Sequence, residues 1–248
     1  HLVRESGIES LICDLDVDTP DLHILLQPEV QRRAPFISGH LAHIDPDLCA
    51  ACGLCAEVCR FDAIQERNGA YAVAPLACEG CRVCVDACPV DAIAFDPRRC
   101  GEHMVSETRF GPMVHAQLDP GQENSGRLVS LLRRRARDLA GARGAELVLS
   151  DGTPGIGCPV IASVSGTDLA VLVAEPSPSG LHDLERVIDL TAHFGVPAAV
   201  VINRADLYPE GTEQTRQLAE RRGLPCLGEI PLDLGIVDAQ VQRETLTE

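Results

Sequence analysis

Short aliphatic runs that stop at polar residues recur along the chain. Leu11-Ile12-Cys13 ends at Asp14, Leu147-Val148-Leu149 at Ser150-Asp151, and Leu169 to Ala174 at Glu175-Pro176. Ala198 to Ile202 ends at Asn203, and Cys226-Leu227 leads to Ile230-Pro231. Unbroken runs of this length fit strands buried on both faces, as in a parallel sheet covered by helices. Between them the period becomes helical. From Ser125 to Ala140, Leu128, Leu131, Leu132 and Leu139 fall on one side; a helix with Ser179 as N-cap carries Leu181, Leu184, Val187, Ile188 and Phe194. A third helix runs from about Thr212 to Arg222, and His1 to Ser6 reads as the tail of another. The alternation predicts an α/β fold with a doubly wound, mostly parallel sheet, whose ligands sit beyond the carboxyl ends of the strands.

That pattern breaks between residues 36 and 105, where cysteines take over. Eight of the twelve cysteines lie between Cys49 and Cys88, as Cys49-x2-Cys52-x2-Cys55-x3-Cys59 and Cys78-x2-Cys81-x2-Cys84-x3-Cys88. An offset of 29 residues maps each cysteine of the first set onto the second, and Asp62-Ala63-Ile64 onto Asp91-Ala92-Ile93. This is an internal duplication. The spacing, with Pro89 after the second set, resembles two-cluster bacterial ferredoxins, in which the fourth cysteine of each run ligates the other cluster. By that rule Cys49, Cys52, Cys55 and Cys88 hold one [4Fe–4S] cluster, and Cys78, Cys81, Cys84 and Cys59 the other. Arg60 stands where the first run would have proline, a change that displaces no ligand.

Two other readings of these cysteines are weaker. A disulfide framework needs an oxidising compartment, and no basic-then-apolar leader precedes the body. Structural zinc uses paired C-x2-C knuckles, to which a third cysteine two residues on is surplus. Cys13, Cys100, Cys158 and Cys226 fit none of these spacings and are expected to be small buried hydrophobes.

Composition narrows the picture further. A chain of 248 residues suits two modest domains or one large one. Its 21 basic residues against 37 acidic ones give −16, which disfavours nucleic acid and anionic lipid. The basic run Arg133-Arg134-Arg135-Ala136-Arg137 is expected to be a solvated helix face. No stretch has the roughly 20 apolar residues of a membrane span, so a cytoplasmic protein is expected. With no tryptophan and seven Tyr or Phe residues, the core must be aliphatic. Every one of the 21 basic residues is arginine, so no residue here can act as the phosphate-binding lysine of a P-loop.

The strand ends carry a second resemblance. Asp14-Leu15-Asp16-Val17-Asp18-Thr19-Pro20-Asp21-Leu22-His23 resembles the acidic segment after the second strand of MinD-type P-loop ATPases, and Asp151-Gly152-Thr153-Pro154-Gly155-Ile156-Gly157-Cys158-Pro159 their Walker B and switch region. Asn203-Arg204-Ala205-Asp206 resembles their base-recognition segment, and Ile230-Pro231-Leu232-Asp233 the turn beside the base. With Thr108 to Pro112 and Ser179 to Asp183, the likeness spans the chain. It is closest to MinD-superfamily ATPases with an inserted ferredoxin domain. The organisation implied is residues 1–35 as the first part of the ATPase-like domain, 36–105 as the α+β ferredoxin insert, and 106–248 as the second part.

By position, the resemblance makes Asp16 the carboxylate that orients the attacking water, with Asp18 its switch neighbour. Asp151 would hold Mg²⁺ through water, Gly155 would offer a backbone N–H to the γ-phosphate, and Asn203, Asp206 and Pro231 would surround adenine. The glycine-rich lysine loop of that family has no counterpart here, so MgATP belongs to a longer protein that carries it. The function implied is one-electron transfer by two [4Fe–4S] clusters, coupled in that protein to ATP hydrolysis, as a homodimer serving a redox protein or enzyme. Two alternatives are an iron–sulfur assembly carrier and an electron carrier on a nucleotide-blind scaffold.

Overall fold

The computed structural model describes residues 2–122 and 125–245; His1, the expected start of the helix tail, lies outside them. In chain order the elements begin α1 (Leu2–Glu5), β1 (Ser10–Asp14), α2 (Leu22–Leu26) and the long β2 (Glu29–Ile44). Then come α3 (Leu54–Glu57), β3 (Ile64–Arg67), β4 (Ala70–Val73), α4 (Val83–Asp86), the long β5 (Ile93–Thr108) and β6 (Gly111–Leu118). The remainder alternates: α5 (Ser125–Arg143), β7 (Leu147–Asp151), α6 (Cys158–Val164), β8 (Ala170–Ala174), α7 (Pro178–His193), β9 (Ala198–Asn203), α8 (Pro209–Arg221), β10 (Cys226–Ile230) and α9 (Leu234–Gln242).

One sheet has the order β2-β5-β6-β1-β7 and a second the order β10-β9-β8. β1 runs parallel to both β6 and β7, and β9 parallel to both β8 and β10, which makes this a mostly parallel α/β fold. The described residues fall into two compact units, one drawn from His1–Arg33, Met104–Gln117 and Ser125–Glu248, the other from Ala34–His103 and Leu118–Asn124.

In the first unit, Leu11, Cys13, Leu15, Met113, Val114, Leu128, Val129 and Leu132 are buried. Each such leucine or methionine contributes roughly 1.5–3 kcal/mol of burial. A second cluster joins Leu172, Ala174, Leu184, Ile188, Val200, Ile202 and Leu218 around β8, β9 and their helices. Gly211 is required there, because a Cβ at this position of α8 would stand 2.1 Å from the Pro176 carbonyl oxygen.

Three expectations need correction. The N-cap of α7 is Ser177, whose hydroxyl accepts from the Gly180 N–H at 3.0 Å; Pro178 at the first turn moves the start two residues before Ser179. Arg133 is not a solvated face residue, since its guanidinium donates to the carbonyls of Ala162, at 2.7 Å, and Ser165, at the end of α6. Cys13 and Cys100 are buried, whereas Cys158 and Cys226 are exposed. Cys158 opens α6, and Cys226 opens the edge strand β10, all of whose residues face solvent.

The second unit shows the duplication in its backbone. Left-handed residues recur at the 29-residue offset: Ala51 with Gly80, Gly53 with Arg82, and Asp62 with Asp91. The short helices α3 and α4 stand at the same offset. β3 and β4 form a hairpin through Asn68 and Gly69, both at positive φ, the pair suited to a tight primed turn.

Candidate metal centres

Each cysteine run is a loop followed by one helical turn. The loop's left-handed residues coil it tightly, and the turn places the third cysteine inward: Cys55 in α3 and Cys84 in α4 are buried, while Cys52 and Cys81 are exposed. Two cavities result. Cys49, Cys52, Cys55 and Cys88 line one, with Ile44, Tyr71, Val90 and Ile93. Cys59, Cys78, Cys81 and Cys84 line the other, with Ala42, Phe61, Val73 and Phe95. Each cavity thus receives three sulfurs from one run and one from the other.

The surroundings suit clusters held by sulfur. The Ala92 N–H points at Cys88 Sγ, 3.3 Å away, the kind of hydrogen bond that tunes an iron–sulfur centre. At Gly80, where φ is +62°, a Cβ would stand 2.3 Å from the His40 carbonyl oxygen, so only glycine lets the Cys78–Cys81 loop come this close. Burial pushes the Cys55 and Cys84 thiols up, with neighbouring cysteines adding to it. Bound iron reverses this balance by taking the thiolate as ligand. Among the described residues no three His, Cys, Asp or Glu side chains converge as a single metal ion would require. A tetrahedral zinc site would need its sulfurs roughly 3.8 Å apart.

The strand-end residues form two groups. Asp14 and Asp151 are register partners at the ends of β1 and β7. Asp14 is buried; its Oδ1 accepts from the Asp16 N–H at 3.1 Å, and its Oδ2 has no hydrogen-bond partner among the described residues. Burial pushes this carboxyl up to about 7, and the same cause raises Asp151 and Asp18. Asp16 accepts from the Thr19 N–H at 3.2 Å and the Thr19 hydroxyl at 3.1 Å. Gly155, at φ +94°, lies in the loop after β7 with open space around it.

The other group lies at the ends of β9 and β10. Asn203 Oδ1 accepts from the Arg204 N–H at 3.1 Å, and Asp206 Oδ1 from the Leu232 N–H at 2.6 Å, which ties the loop after β9 to the turn at Pro231. Pro231 is exposed. Sequence reasoning overlooked Asp14 as a member of the first group, although it closes a strand-like run, and overlooked Tyr71 and Phe95 as cavity walls.

Known proteins agree with both parts. Residues 42–95 match the model of the 4Fe-4S dicluster domain. The uncharacterized protein MJ0578 of Methanocaldococcus jannaschii is 34% identical over 201 residues, which cover 81% of this chain and 68% of that protein. MJ0579 of the same organism is 21% identical over 112 residues, 45% of this chain and 40% of its own length.

Among solved structures, the cell division ATPase MinD of Pyrococcus furiosus superposes with a TM-score of 0.51 at 17% identity, over 97% of this chain and 77% of its own. Apo McdA of Cyanthece gives 0.52 at 13%, over 99% and 83%. MinD of Pyrococcus horikoshii, solved with Mg-ADP, gives 0.51 at 16%, over 97% and 76%. No helix among the described residues is long and apolar enough to cross a membrane. The chain has the MinD fold and carries a 4Fe-4S dicluster domain, and it belongs to one family with MJ0578.

Proposed function

We propose that the chain holds two [4Fe–4S] clusters, one on Cys49, Cys52, Cys55 and Cys88 and one on Cys78, Cys81, Cys84 and Cys59, and that it carries single electrons for a redox partner. The observation that carries this reading is the sharing of sulfurs between the two cavities, three from one run and one from the other. When bound, such a cluster supplies reversible one-electron chemistry without forming or breaking covalent bonds to substrate. The protein's part is to hold eight thiolates, exclude water with Ile44, Ile93, Val73 and Phe95, and aim backbone N–H groups at sulfur. Residues 36–105 are the insert in this reading, flanked by the two parts of the ATPase-like domain.

The nucleotide half of the proposal rests on the strand ends. In a longer protein that supplies a lysine loop, Asp151 would hold Mg²⁺ through water and Asp16 would orient the attacking water. Gly155 would approach the γ-phosphate, while Asn203, Asp206 and Pro231 would flank adenine, with Asp18 beside Asp16 as a switch residue. That a MinD of this fold was solved with Mg-ADP supports a nucleotide as the ligand. Dimer formation and turnover belong to that longer protein.

Anaerobic reconstitution with iron and sulfide tests the first half. About eight irons and eight acid-labile sulfides per chain are expected, because two cubanes use all eight thiols. Stoichiometric zinc without sulfide would overturn it.

A further inference from the structure

The two cavities share a backbone and differ in charge. Across the 29-residue offset, Gly53 is matched by Arg82, Pro89 by Arg60, and Asp47 by Leu76. The acidic pairs Glu57 with Asp86 and Asp62 with Asp91 match one another and cancel in the comparison. Arg82 lines the Cys78 cavity, its guanidinium 5.9 Å from the centroid of Phe95 on the same wall and paired at 3.2 Å with Asp86. Arg60 directly follows Cys59, the sulfur that this cavity takes from the first run.

Arg98 reaches the same place from β5. Its Nη1 donates to the Cys78 carbonyl at 2.9 Å and its Nη2 to the Pro75 carbonyl at 3.0 Å, so a fixed cation sits on the backbone of a ligand residue. Glu79 opposes these charges on the wall of the Cys78 cavity. Among the described residues the Cys49 cavity has no charged residue in its wall, which is Ile44, Ala50, Gly53, Tyr71, Pro89, Val90, Ala92 and Ile93 beside its cysteines.

Adding an electron adds negative charge, which nearby guanidinium groups stabilise, and more strongly beside an apolar wall than in water. We propose that the half held by Cys78, Cys81, Cys84 and Cys59 is the more oxidising of the two, and that Arg98 sets the difference as a positioning residue. An electron delivered to the Cys49 half then passes to the Cys78 half. One electron leaves the first and enters the second, with no bond made and no proton required. The dicluster unit therefore has a direction, with entry at the Cys49 half and exit at the Cys78 half. This rests on the two-cluster reading above.

The test is a potentiometric titration of the reconstituted full chain followed by electron paramagnetic resonance. Cys59→Ser and Cys88→Ser assign each signal to its half. Two reduction steps are expected, the one at higher potential being that altered by Cys59→Ser. Arg98→Gln should lower that step and leave the other in place, and Arg98→Lys should restore most of the difference. If Arg98→Gln does not fold, Arg82→Gln, whose side chain is exposed, serves the same comparison. A higher step altered by Cys88→Ser, two coincident steps, or an equal shift of both steps would overturn the inference while leaving the two clusters intact. A preparation with fewer than two cubane equivalents of iron and sulfide would overturn the two-cluster reading itself, and the inference with it.

Discussion

Cys59 and Cys88 hold equivalent places in the two repeats, and each lines the cavity whose other three cysteines belong to the opposite repeat. A mutation in one repeat should therefore be felt in the other. Cys59→Ala should damage the cluster of Cys78, Cys81 and Cys84 and spare that of Cys49, Cys52 and Cys55. Paramagnetic spectra of the variant decide the matter, and loss of the Cys49 signal instead would refute crossed ligation.

Gly80 provides a second prediction. An alanine there would place Cβ 2.3 Å from a backbone oxygen of His40 and would also hold φ at +62°. Gly80→Ala should cost about 1–3 kcal/mol and reduce iron loading of the Cys78 half. Gly53→Ala meets only the hydroxyl end of Tyr71, at 3.0 Å, and should be milder. Chemical denaturation and iron content of the two variants make the comparison.

A third prediction concerns acid. Ser106 Oγ and His115 Nε2 lie 2.8 Å apart and both residues are buried. Burial holds His115 down to about 4, with His23 and Arg33 adding to it, against an ordinary 6.5. A base whose folded value is depressed contributes stability that is full above pH 6.5 and lost as pH falls through 4. The loss, on the order of 2–3 kcal/mol, should show in unfolding curves between those values and should be absent in His115→Gln. An equal acid slope in both proteins would exclude His115 as the cause.

MgATP provides a fourth. With no lysine anywhere in the 248 residues, the chain should bind MgATP weakly or not at all. A longer protein that adds a glycine-rich lysine loop should bind it, and Asp151→Asn in that protein should weaken the dependence on Mg²⁺. Submicromolar binding of MgATP by the 248 residues alone, measured by calorimetry, would contradict this.

The strands readable in the sequence were those written as unbroken aliphatic runs, whether the structure buries them, as in β1 and β9, or leaves them exposed, as in β10. β1, β7, β8, β9 and β10 show as aliphatic runs, and the cysteine spacing carries its chemistry openly. The long strands β2 and β5 escaped notice because Pro35, Gly39, Pro97 and Gly101 break their patterns and their burial alternates irregularly. Cys158 and Cys226 were misjudged because cysteine is commonly buried, whereas a helix start and an edge strand leave it in solvent. The contact of Arg98 with Cys78 spans 20 residues and has no sequence signal. Asp14 was visible as a strand end, but its unpartnered oxygen follows only from the packing of its neighbours.

The sheet edges affect how this polypeptide behaves in the test tube. β7 pairs with β1 and β8 with β9, each is the last strand of its sheet, and Leu149, Val171 and Val173 on them are exposed. Free backbone donors and acceptors beside exposed aliphatic side chains recruit further strands. Concentrated solutions of these 248 residues should consequently self-associate edge to edge, and a charged substitution such as Val173→Glu should keep them dispersed.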